Sequence, residues 1–462
     1  MDLHYLDLTE LADLLRQREV TSVEVTRAQL ERIDHLDGRL ASYARITPED
    51  ALAAAKNADA EIAAGRHRGP LHGVPLGIKD LFWTKGVPTA AGTMIHHDFV
   101  PEEDATVVAR LRQAGAILLG KLQMTEGAYS DHHPAITPPK NPWNAAYWTG
   151  ISSSGPAVAT AAGLCYGALA SDTGGSIRWP CGATGLSGIK PAWGRVSRFG
   201  VFELAASLDH VGPIARSVAD ATAILAAIAG PDDNDSTALA EPQPDYSTAA
   251  ESIIGLRLGI DTQWNTVDVD PAVQKVLAEA ERVFRQLGAE IVRVRVPDVT
   301  QAVTDWASTC AIEAAVAHRE TYPKRKEEYG PVLASVLDAG QAVSAVDYQA
   351  IRLRRMDLRG RFSHLLRTID ALLLPVQPFA PLTLAEISTL GEQPELILKL
   401  QRYTAPFDLT GHPTVTLPGG FSEHDMPIGL QLAGRDETTL IREAVAFQHG
   451  TPWHRRHPLP QS

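Results

Sequence analysis

Apolar residues recur at helical spacing near the start of the chain. The leucines between Leu8 and Leu15 follow this spacing and predict an amphipathic helix. Thr21 followed by Glu24 fits a capping box, so a second amphipathic helix is predicted to begin there. The alanine-rich stretch from Ala51 to Ala64 predicts a third helix. The chain is thus predicted to be helical over about residues 1–65.

Beyond that region, short apolar runs alternate with helical patterns. Alternating apolar residues in Gly73–Asp80 predict a strand that delivers Lys79, and a helix over Ala105–Gln113 precedes a buried strand over Ala116–Leu119. Further strands are predicted at Leu256–Ile260, Glu290–Val296, Ala371–Val376, Thr414–Leu417 and Ile428–Leu432. This alternation over the whole length predicts a layered α/β fold around a mixed sheet. The polar stretch Pro231–Pro244 is predicted to be a surface linker.

Charge and cysteine content narrow the class of protein. Lys and Arg number 42 against 55 Asp and Glu, and the net charge of −13 argues against passive binding to nucleic acid or to an anionic membrane. The three cysteines, Cys165, Cys181 and Cys310, form no C-x-x-C motif, which favours reduced thiols over a disulfide framework or a zinc site. No signal-peptide pattern and no apolar run of membrane-spanning length is present. We therefore expect a cytoplasmic protein.

Two loops rich in glycine and serine carry the most informative chemistry. The first is Gly150-Ile151-Ser152-Ser153-Ser154-Gly155, and the second is Ser171-Asp172-Thr173-Gly174-Gly175-Ser176-Ile177-Arg178. The small-residue stretch Ala157–Ala170 can form a helix and a strand that fold the second loop back beside the first. Glycines in the second loop let successive N–H groups converge on one point, as in an oxyanion-binding nest. Ser176 is therefore a candidate nucleophile.

A serine hydroxyl needs a base to attack a carbonyl at neutral pH. No histidine lies near either loop in the sequence, so His210 and His412 could act only if folding brings them there. A buried lysine can serve instead, because desolvation disfavours the ammonium form. Lys79 lies among apolar residues and suits this role, with Ser152 as a proton relay to Ser176.

The lysine motif and the two serine loops together resemble the amidase signature family. The resemblance continues through further motifs that cover nearly the whole chain: Gly77-Ile78-Lys79-Asp80, Gly188-Ile189-Lys190-Pro191, Gly194-Arg195-Val196-Ser197, Ser207-Leu208-Asp209, Gly411-His412-Pro413 and Pro427-Ile428-Gly429-Leu430-Gln431. The pairing of both serine loops with the lysine is highly specific.

The resemblance implies a role for each matching residue. Lys79 is the catalytic lysine, Ser152 the serine that follows a cis peptide bond, and Ser176 the acylated nucleophile. Four consecutive residues would supply the oxyanion N–H groups: Thr173, Gly174, Gly175 and Ser176. The implied reaction is two-step hydrolysis through an acyl-enzyme, without metal or organic cofactor.

The resemblance also implies a single α/β/α domain over residues 1–462. Its expected parts are N-terminal helices to about 65, a catalytic core over about 66–230, a variable pocket-forming segment over about 231–400, and C-terminal core strands and a helix over about 401–462. The chain departs from the family's first loop, usually Gly-Gly-Ser-Ser-Gly-Gly-Ser, at Ile151, Ser154 and Pro156.

Several residues around the loops have candidate supporting roles. Asp172 and Arg178 are expected to pair and hold the nucleophile loop. Substrate contacts are expected from three consecutive residues, Gly127, Ala128 and Tyr129. Tyr129 and Trp148 fit a pocket wall or the core equally well, and core packing is favoured for Phe407.

Other motifs in the sequence are weaker. Gly115–Lys121 matches a nucleotide-binding P-loop only in part, since Leu122 replaces the Ser or Thr. Ser187–Lys190 fits an S-x-x-K pattern, but no Lys-Thr-Gly accompanies it. The pairs His96-His97 and His132-His133 lack metal-ligand spacing and are predicted to be surface or loop residues.

The sequence is compatible with three functions. The first is a stand-alone amidase that acts on small or aromatic amides, esters or carbamates, including urethanes, as a monomer or homodimer. The second is the glutaminase subunit of an aminoacyl-tRNA amidotransferase, which Gly194–Gly200 and Ser207–His210 resemble. The stretch Gln123–Tyr129 is more apolar than a glutamine site would require. The third is a binding protein on an inactive hydrolase scaffold.

Overall fold

Helices and strands alternate along the chain in the computed structural model, which describes residues 3–246, 252–390 and 393–458. The α-helices are α1 (Leu8–Gln17), α2 (Ser22–Leu40), α3 (Pro48–Ala63), α4 (Thr106–Gln113), α5 (Ser154–Ala161), α6 (Arg178–Thr184), α7 (Val218–Ile228), α8 (Pro271–Gln286), α9 (Thr300–Ala317), α10 (Pro331–Ala342), α11 (Ala345–Leu365), α12 (Leu384–Ser388), α13 (Pro394–Gln401), α14 (Ala405–Thr410) and α15 (Glu437–His449). The strands are β1 (Tyr43–Ile46), β2 (Pro75–Lys79), β3 (Ile117–Leu122), β4 (Gly167–Asp172), β5 (Ser187–Lys190), β6 (His210–Ala215), β7 (Arg257–Ile260), β8 (Glu290–Arg293), β9 (Ala371–Pro375), β10 (Thr414–Phe421) and β11 (Pro427–Gly434).

All of these strands join one 11-stranded sheet, in the order β1-β3-β2-β4-β6-β5-β10-β11-β9-β7-β8. Strand β2 pairs in parallel with β3 and β4, and β7 pairs in parallel with β8 and β9, while the other pairs are antiparallel. The predicted mixed sheet is therefore confirmed.

Helices cover both faces of the sheet. In β11, a side chain at Gly429 would meet α6 at Gly182, whereas one at Gly434 would meet α15 at Leu440. Residues 429 and 434 are an odd number of positions apart, so they point to opposite faces of the strand. This arrangement confirms the predicted α/β/α layers in a single domain.

Local sequence patterns predicted most helices and strands correctly. The helix predicted after Thr21 begins at Ser22, and Thr21 and Glu24 form the predicted capping box. The strands predicted from apolar runs are all present. Strands β1, β5 and β6 were not predicted, and β6 occupies a central position although it contains Gly212 and Pro213. The stretch 231–244 contains neither helix nor strand, as predicted for a linker.

The parallel part of the sheet brings the candidate catalytic residues to one edge. Strand β2 ends at Lys79 and the parallel strand β4 ends at Asp172, and the two strands are direct neighbours. Carboxyl ends of parallel strands lie at the same edge of a sheet, which is where α/β proteins usually place their sites. The loop after β4 therefore starts beside Lys79.

Among the described residues, none of the helices combines the length and hydrophobicity needed to span a bilayer. The three cysteines are free and buried, as expected for reduced thiols.

Candidate active site

The Lys79 side chain is fully buried and surrounded by hydroxyl groups. Its Nζ lies 2.8 Å from Ser152 Oγ, 2.8 Å from Ser153 Oγ and 2.9 Å from Ser171 Oγ. The peptide bond between Ile151 and Ser152 is cis, as the resemblance implied. Sequence reasoning placed Ser152 near the lysine but gave no role to Ser153 or Ser171, although both stand within the two serine loops.

One of these hydroxyls has a fixed proton direction. Ser153 Oγ donates to the carbonyl oxygen of Ser171 at 3.2 Å, so it can only accept from Lys79. A neutral amine has two N–H groups and one lone pair. After one N–H is used on Ser153, one N–H and the lone pair remain for Ser171 and Ser152.

The environment of Lys79 favours this neutral amine. Burial lowers the pKa of Lys79 to about 7, against the opposing effect of the Asp172 and Asp209 carboxylates. An ammonium in this position would have lost its hydration without gaining a directly bonded carboxylate. The amine can therefore exchange a proton near neutral pH.

Ser176 lies on the loop between β4 and α6 and is 7% exposed, whereas Ser152 is 0% exposed. Ser176 Oγ forms no hydrogen bond with the described residues. The hydrogen-bonded path from Lys79 therefore reaches Ser152 but does not continue to Ser176. Hydrogen bonds between catalytic groups are often long in unliganded enzymes and tighten when substrate binds.

Asp172 organises the backbone of the nucleophile loop. Its carboxylate accepts from the N–H groups of Gly175 at 2.7 Å and Ile177 at 2.9 Å. The predicted oxyanion donor Gly175 therefore already has an acceptor within the protein. The N–H groups of Thr173, Gly174 and Ser176 have no acceptor within the described part of the chain.

The predicted pair of Asp172 and Arg178 is present and fully buried. Arg178 Nε and Nη2 donate to the two Asp172 oxygens at 3.0 and 2.8 Å, and Nη2 also donates to Asp408 at 2.6 Å. Burial alone would raise the pKa of Asp172, but the Arg178 guanidinium holds it below its usual value. Burial raises the pKa of Asp408 well above its usual value, which Arg178 opposes. One guanidinium thus ties the nucleophile loop to α14.

Two further residues support Thr173 and Gly174 and were not found from the sequence. Trp306 on α9 donates from Nε1 to the Thr173 carbonyl oxygen at 2.7 Å. Its ring lies so close that a Cβ at Gly174 would be 2.3 Å from it, so this position requires glycine. Asp209 accepts from Thr173 Oγ1 at 2.6 Å, and burial raises the pKa of Asp209 to about 6. Asp209 stands in one of the family motifs, but no local signal marks Trp306.

Of the three predicted substrate residues, Gly127 and Ala128 line a cavity of about 220 Å³. Trp83, His96 and Phe202 are also part of its wall. Tyr129 is not among the lining residues and packs half-buried against the main core. The preceding Thr125 N–H donates to the Ser152 carbonyl oxygen at 3.3 Å, which joins this segment to the first serine loop.

A second apolar cluster flanks the serine loops. Trp148 packs with Trp179, Val376 and Leu400, and Ile151 packs against this cluster. The Trp148 N–H donates to Leu382 O at 2.9 Å, so the segment predicted to be variable reaches the first loop. Phe407 is fully buried against Phe362, as favoured from the sequence.

The histidines left open by the sequence do not contact the three key side chains. His210 Nδ1 bonds to Leu208 O at 2.6 Å, and burial lowers the pKa of His210 well below its usual value. The Lys190 amine bonds to the backbone carbonyl of His412 at 2.8 Å. His132, predicted to lie on the surface or in a loop, lies in a loop with Nε2 3.1 Å from Ser154 Oγ.

The weaker motifs have structural partners. Lys121 is buried and its amine bonds to Phe82 O and Thr89 Oγ1, both at 2.7 Å. Ser187 Oγ donates to the Arg216 carbonyl oxygen at 3.3 Å. The described residues contain no cluster of His, Cys, Asp or Glu suited to a metal ion.

Comparison with known proteins first identifies the class: the protein is an enzyme that hydrolyses amide bonds. The chain belongs to the amidase family, whose model matches residues 24–440. The resemblance seen in the serine and lysine motifs is therefore confirmed.

Individual relatives cover almost the whole chain. The protein named "Putative amidase AmiD" of Mycobacterium tuberculosis is 48% identical over 98% of this chain and 96% of its own length. A glutamyl-tRNA(Gln) amidotransferase subunit of Geobacter metallireducens is 39% identical over 98% of this chain and 99% of its own. The solved structure of native peptide amidase from Stenotrophomonas maltophilia matches with a TM-score of 0.84 at 29% identity, covering 99% of both chains.

Proposed function

We propose that this amidase works through an acyl-enzyme on Ser176, with Ser152 as proton relay and Lys79 as base. The observation that carries the proposal is the buried Lys79 amine, which lies 2.8 Å from Ser152 Oγ and has a pKa of about 7. Lys79 donates its two N–H groups to Ser153 and Ser171. Its remaining lone pair accepts the Ser152 proton. Ser152 Oγ then takes the proton of Ser176, whose oxygen attacks the carbonyl carbon.

The oxyanion formed in this attack needs donors that are already oriented. We assign this role to the N–H groups of Thr173, Gly174 and Ser176, because the Gly175 N–H donates to Asp172. When the tetrahedral intermediate collapses, Ser152 returns a proton to the leaving nitrogen and the C–N bond breaks. Water then hydrolyses the ester on Ser176 by the same proton route, which requires neither metal nor organic cofactor.

For the substrate, we propose small amides, anilides, carbamates of the urethane type and esters with an apolar or aryl group. The apolar cluster of Trp148, Trp179 and Val376 beside the first loop supports this preference. We propose that the enzyme acts in the cytoplasm, without a nucleic-acid or membrane partner, as a monomer or homodimer. The net charge of −13 and the free cysteines support that setting.

A second candidate is the glutaminase subunit of a tRNA amidotransferase. The 39% identity to the glutamyl-tRNA(Gln) amidotransferase subunit favours it, whereas the 48% identity to AmiD favours the stand-alone enzyme. The purified chain should therefore release p-nitroaniline from simple anilides without ATP or partner subunits. If glutamine is the only substrate that releases ammonia, and does so only when partner subunits are present, the second candidate would be supported.

The nucleophile is tested by covalent labelling. A serine-directed fluorophosphonate should label the wild-type chain, and peptide mass mapping should place the label on Ser176. Ser176→Ala should lose the label and about 10³-fold or more of the turnover. Ser335→Ala, at an exposed serine on α10, is the control and should behave as wild type. A label on another residue, or near wild-type turnover in Ser176→Ala, would contradict the mechanism.

A further inference from the structure

A large cavity lies outside the Lys79 site. It has a volume of about 880 Å³, and we call it the arginine groove because five arginines line it: Arg352, Arg355, Arg359, Arg367 and Arg435. No Asp or Glu is among its described lining residues. None of the residues proposed for amide hydrolysis lines it either.

The fold places these arginines together. Arg352, Arg355 and Arg359 follow a spacing of three and four residues on α11, so they share one helix face. Arg367 follows the end of α11, and Arg435 follows directly after β11. Residues 409–413, from the end of α14 to the residue before β10, also line the groove.

Of the five arginine side chains, only that of Arg355 donates to backbone carbonyl groups of the described residues. Arg355 donates to Leu409 O and to Ser207 O, each at 2.6 Å, and is half-buried. The other four form no ion pair with a carboxylate of the described residues. Neighbours on the same helix differ, because Arg354 pairs with Asp305 and Arg361 pairs with Asp357. Arginines without an ion pair to a described carboxylate are therefore clustered on one face of an acidic protein.

The carboxylates nearest the groove are already engaged. Glu313 accepts from the Ser207 N–H at 2.8 Å and from its hydroxyl at 2.6 Å. Asp370 bonds to Arg257, and the buried Asp408 bonds to Arg178. Burial lowers the pKa of the lining His412 to about 4, so this residue adds no positive charge at neutral pH. Glu313 and Asp408 act on Arg355 through space, and Asp370 acts on Arg435 in the same way, but none of them forms an ion pair with these arginines. Part of the repulsion among the arginines is thus left for an external anion to offset.

Apolar and aromatic residues share the wall with the arginines. Trp193 and Tyr348 line the groove, and Met356 lies there with 70% of its surface exposed. The Trp193 Nε1–H is buried and has no acceptor among the described residues. A ligand with an apolar or aromatic body beside its charges would contact both kinds of surface.

We propose that the arginine groove binds a small organic polyanion, with several phosphate or carboxylate groups on an apolar or aromatic body. Guanidinium groups bind phosphate and carboxylate through paired hydrogen bonds, which favours these anions over halides. The volume is within the range of small-molecule sites and large enough for a nucleotide-sized ligand. This proposal does not depend on the proposed amide hydrolysis.

The test measures binding by isothermal titration calorimetry at low salt, with ATP as the probe and tripolyphosphate as a probe without the ring. The double variant Arg352→Gln/Arg359→Gln should weaken ATP binding by about tenfold or more, because it removes two charged hydrogen-bond donors from the groove. Arg361→Gln is the control, because it removes one positive charge from the same helix outside the groove. It should bind ATP as the wild type does.

Both substituted arginines are exposed, so the double variant should fold, and circular dichroism checks this. Equal ATP affinity in the wild type and the double variant would overturn the proposal, as would equal losses in the double variant and Arg361→Gln. Binding of a single-stranded oligonucleotide, with none of ATP or tripolyphosphate, would also overturn it and indicate a nucleic-acid surface. Tighter binding of ATP than of tripolyphosphate would support the contribution of the aromatic wall.

Discussion

At the scale of single residues, the Lys79 amine combines complete burial with three hydroxyl partners and no directly bonded carboxylate. A salt bridge would have kept the lysine charged and unable to accept a proton. Hydroxyl groups solvate the neutral amine and leave its lone pair for one of them. The proton of Ser153 points to the Ser171 carbonyl, so Ser153 cannot donate to that lone pair.

The first prediction at this scale concerns pH. Lys79 must be neutral to act as a base, and burial lowers its pKa to about 7. We therefore expect kcat/KM to fall as the pH drops below about 7 and to level off above it. The measurement is a pH–rate profile on an anilide at substrate concentrations well below KM.

Asp209 is the alternative origin of such a profile, because burial raises its pKa to about 6. Ammonium groups ionise with a large enthalpy, whereas carboxylic acids ionise with almost none. The apparent pKa should therefore fall clearly with rising temperature. A profile that does not move with temperature would exclude Lys79 as the titrating group.

The second prediction separates two neighbouring hydroxyls. Ser152→Ala removes the proposed relay and should lower kcat by about 10²-fold or more. Ser153→Ala removes a hydroxyl at the same 2.8 Å from Lys79 but outside the proton path, and it should cost less than about tenfold. Steady-state kinetics of both variants on one substrate decides this, and equal losses would argue against the relay.

At the scale of secondary-structure elements, the site depends on neighbouring strand ends and on one guanidinium. The parallel pairing of β2 with β4 brings Lys79 beside the start of the nucleophile loop. Arg178, the first residue of α6, then links that loop to Asp408 on α14 and to the Thr404 carbonyl at 2.9 Å. Segments far apart in the chain are therefore fixed relative to each other at the site.

Removal of this guanidinium should be costly. Arg178→Met leaves the Asp172 and Asp408 carboxyl groups buried without their cation, and we expect a loss of about 3–5 kcal/mol in the free energy of unfolding. Urea denaturation followed by circular dichroism measures this change. Arg361→Met is the control, because its ion pair with Asp357 is exposed and should contribute less than about 1 kcal/mol. Similar losses in both variants would show that the buried link is not needed for stability.

At the scale of the whole molecule, strands from every part of the chain join one sheet. The central strands β4, β6, β5 and β10 have neighbours on both sides, whereas β1 and β8 are edge strands. Edge strand β8 has only exposed and half-buried residues, in contrast to the fully buried β4. Stability should therefore decrease from the middle of the sheet towards its edges.

Hydrogen exchange provides the test at this scale. Amides of β4, β6, β5 and β10 should exchange last, close to the rate set by global unfolding, and those of β8 and β1 should exchange first. Exchange followed by peptide mass spectrometry gives this order. Early exchange of the central strands would show that the chain unfolds in separate units, despite its single sheet.

The sequence by itself determined the features that depend on local pattern and local chemistry. Periodic apolar residues predicted the N-terminal helices, and short apolar runs predicted strands such as β3 and β9, because burial of one face imposes a period. The glycine and serine motifs identified Lys79, Ser152 and Ser176, because their residue types have few other uses in that combination. The roles of these three residues stay predictions.

The tertiary structure decided what depends on contacts between distant segments. Strand β6 holds a proline and a glycine, yet it lies centrally because Gly212 allows close approach to Ile189 O, which no local propensity reports. Trp306 reaches Thr173 across 133 positions, and Asp408 reaches Arg178 across 230, so no spacing in the sequence could predict either contact. Burial of the lysine, and with it the lowered pKa, likewise exists only once the sheet and helices have excluded water around it.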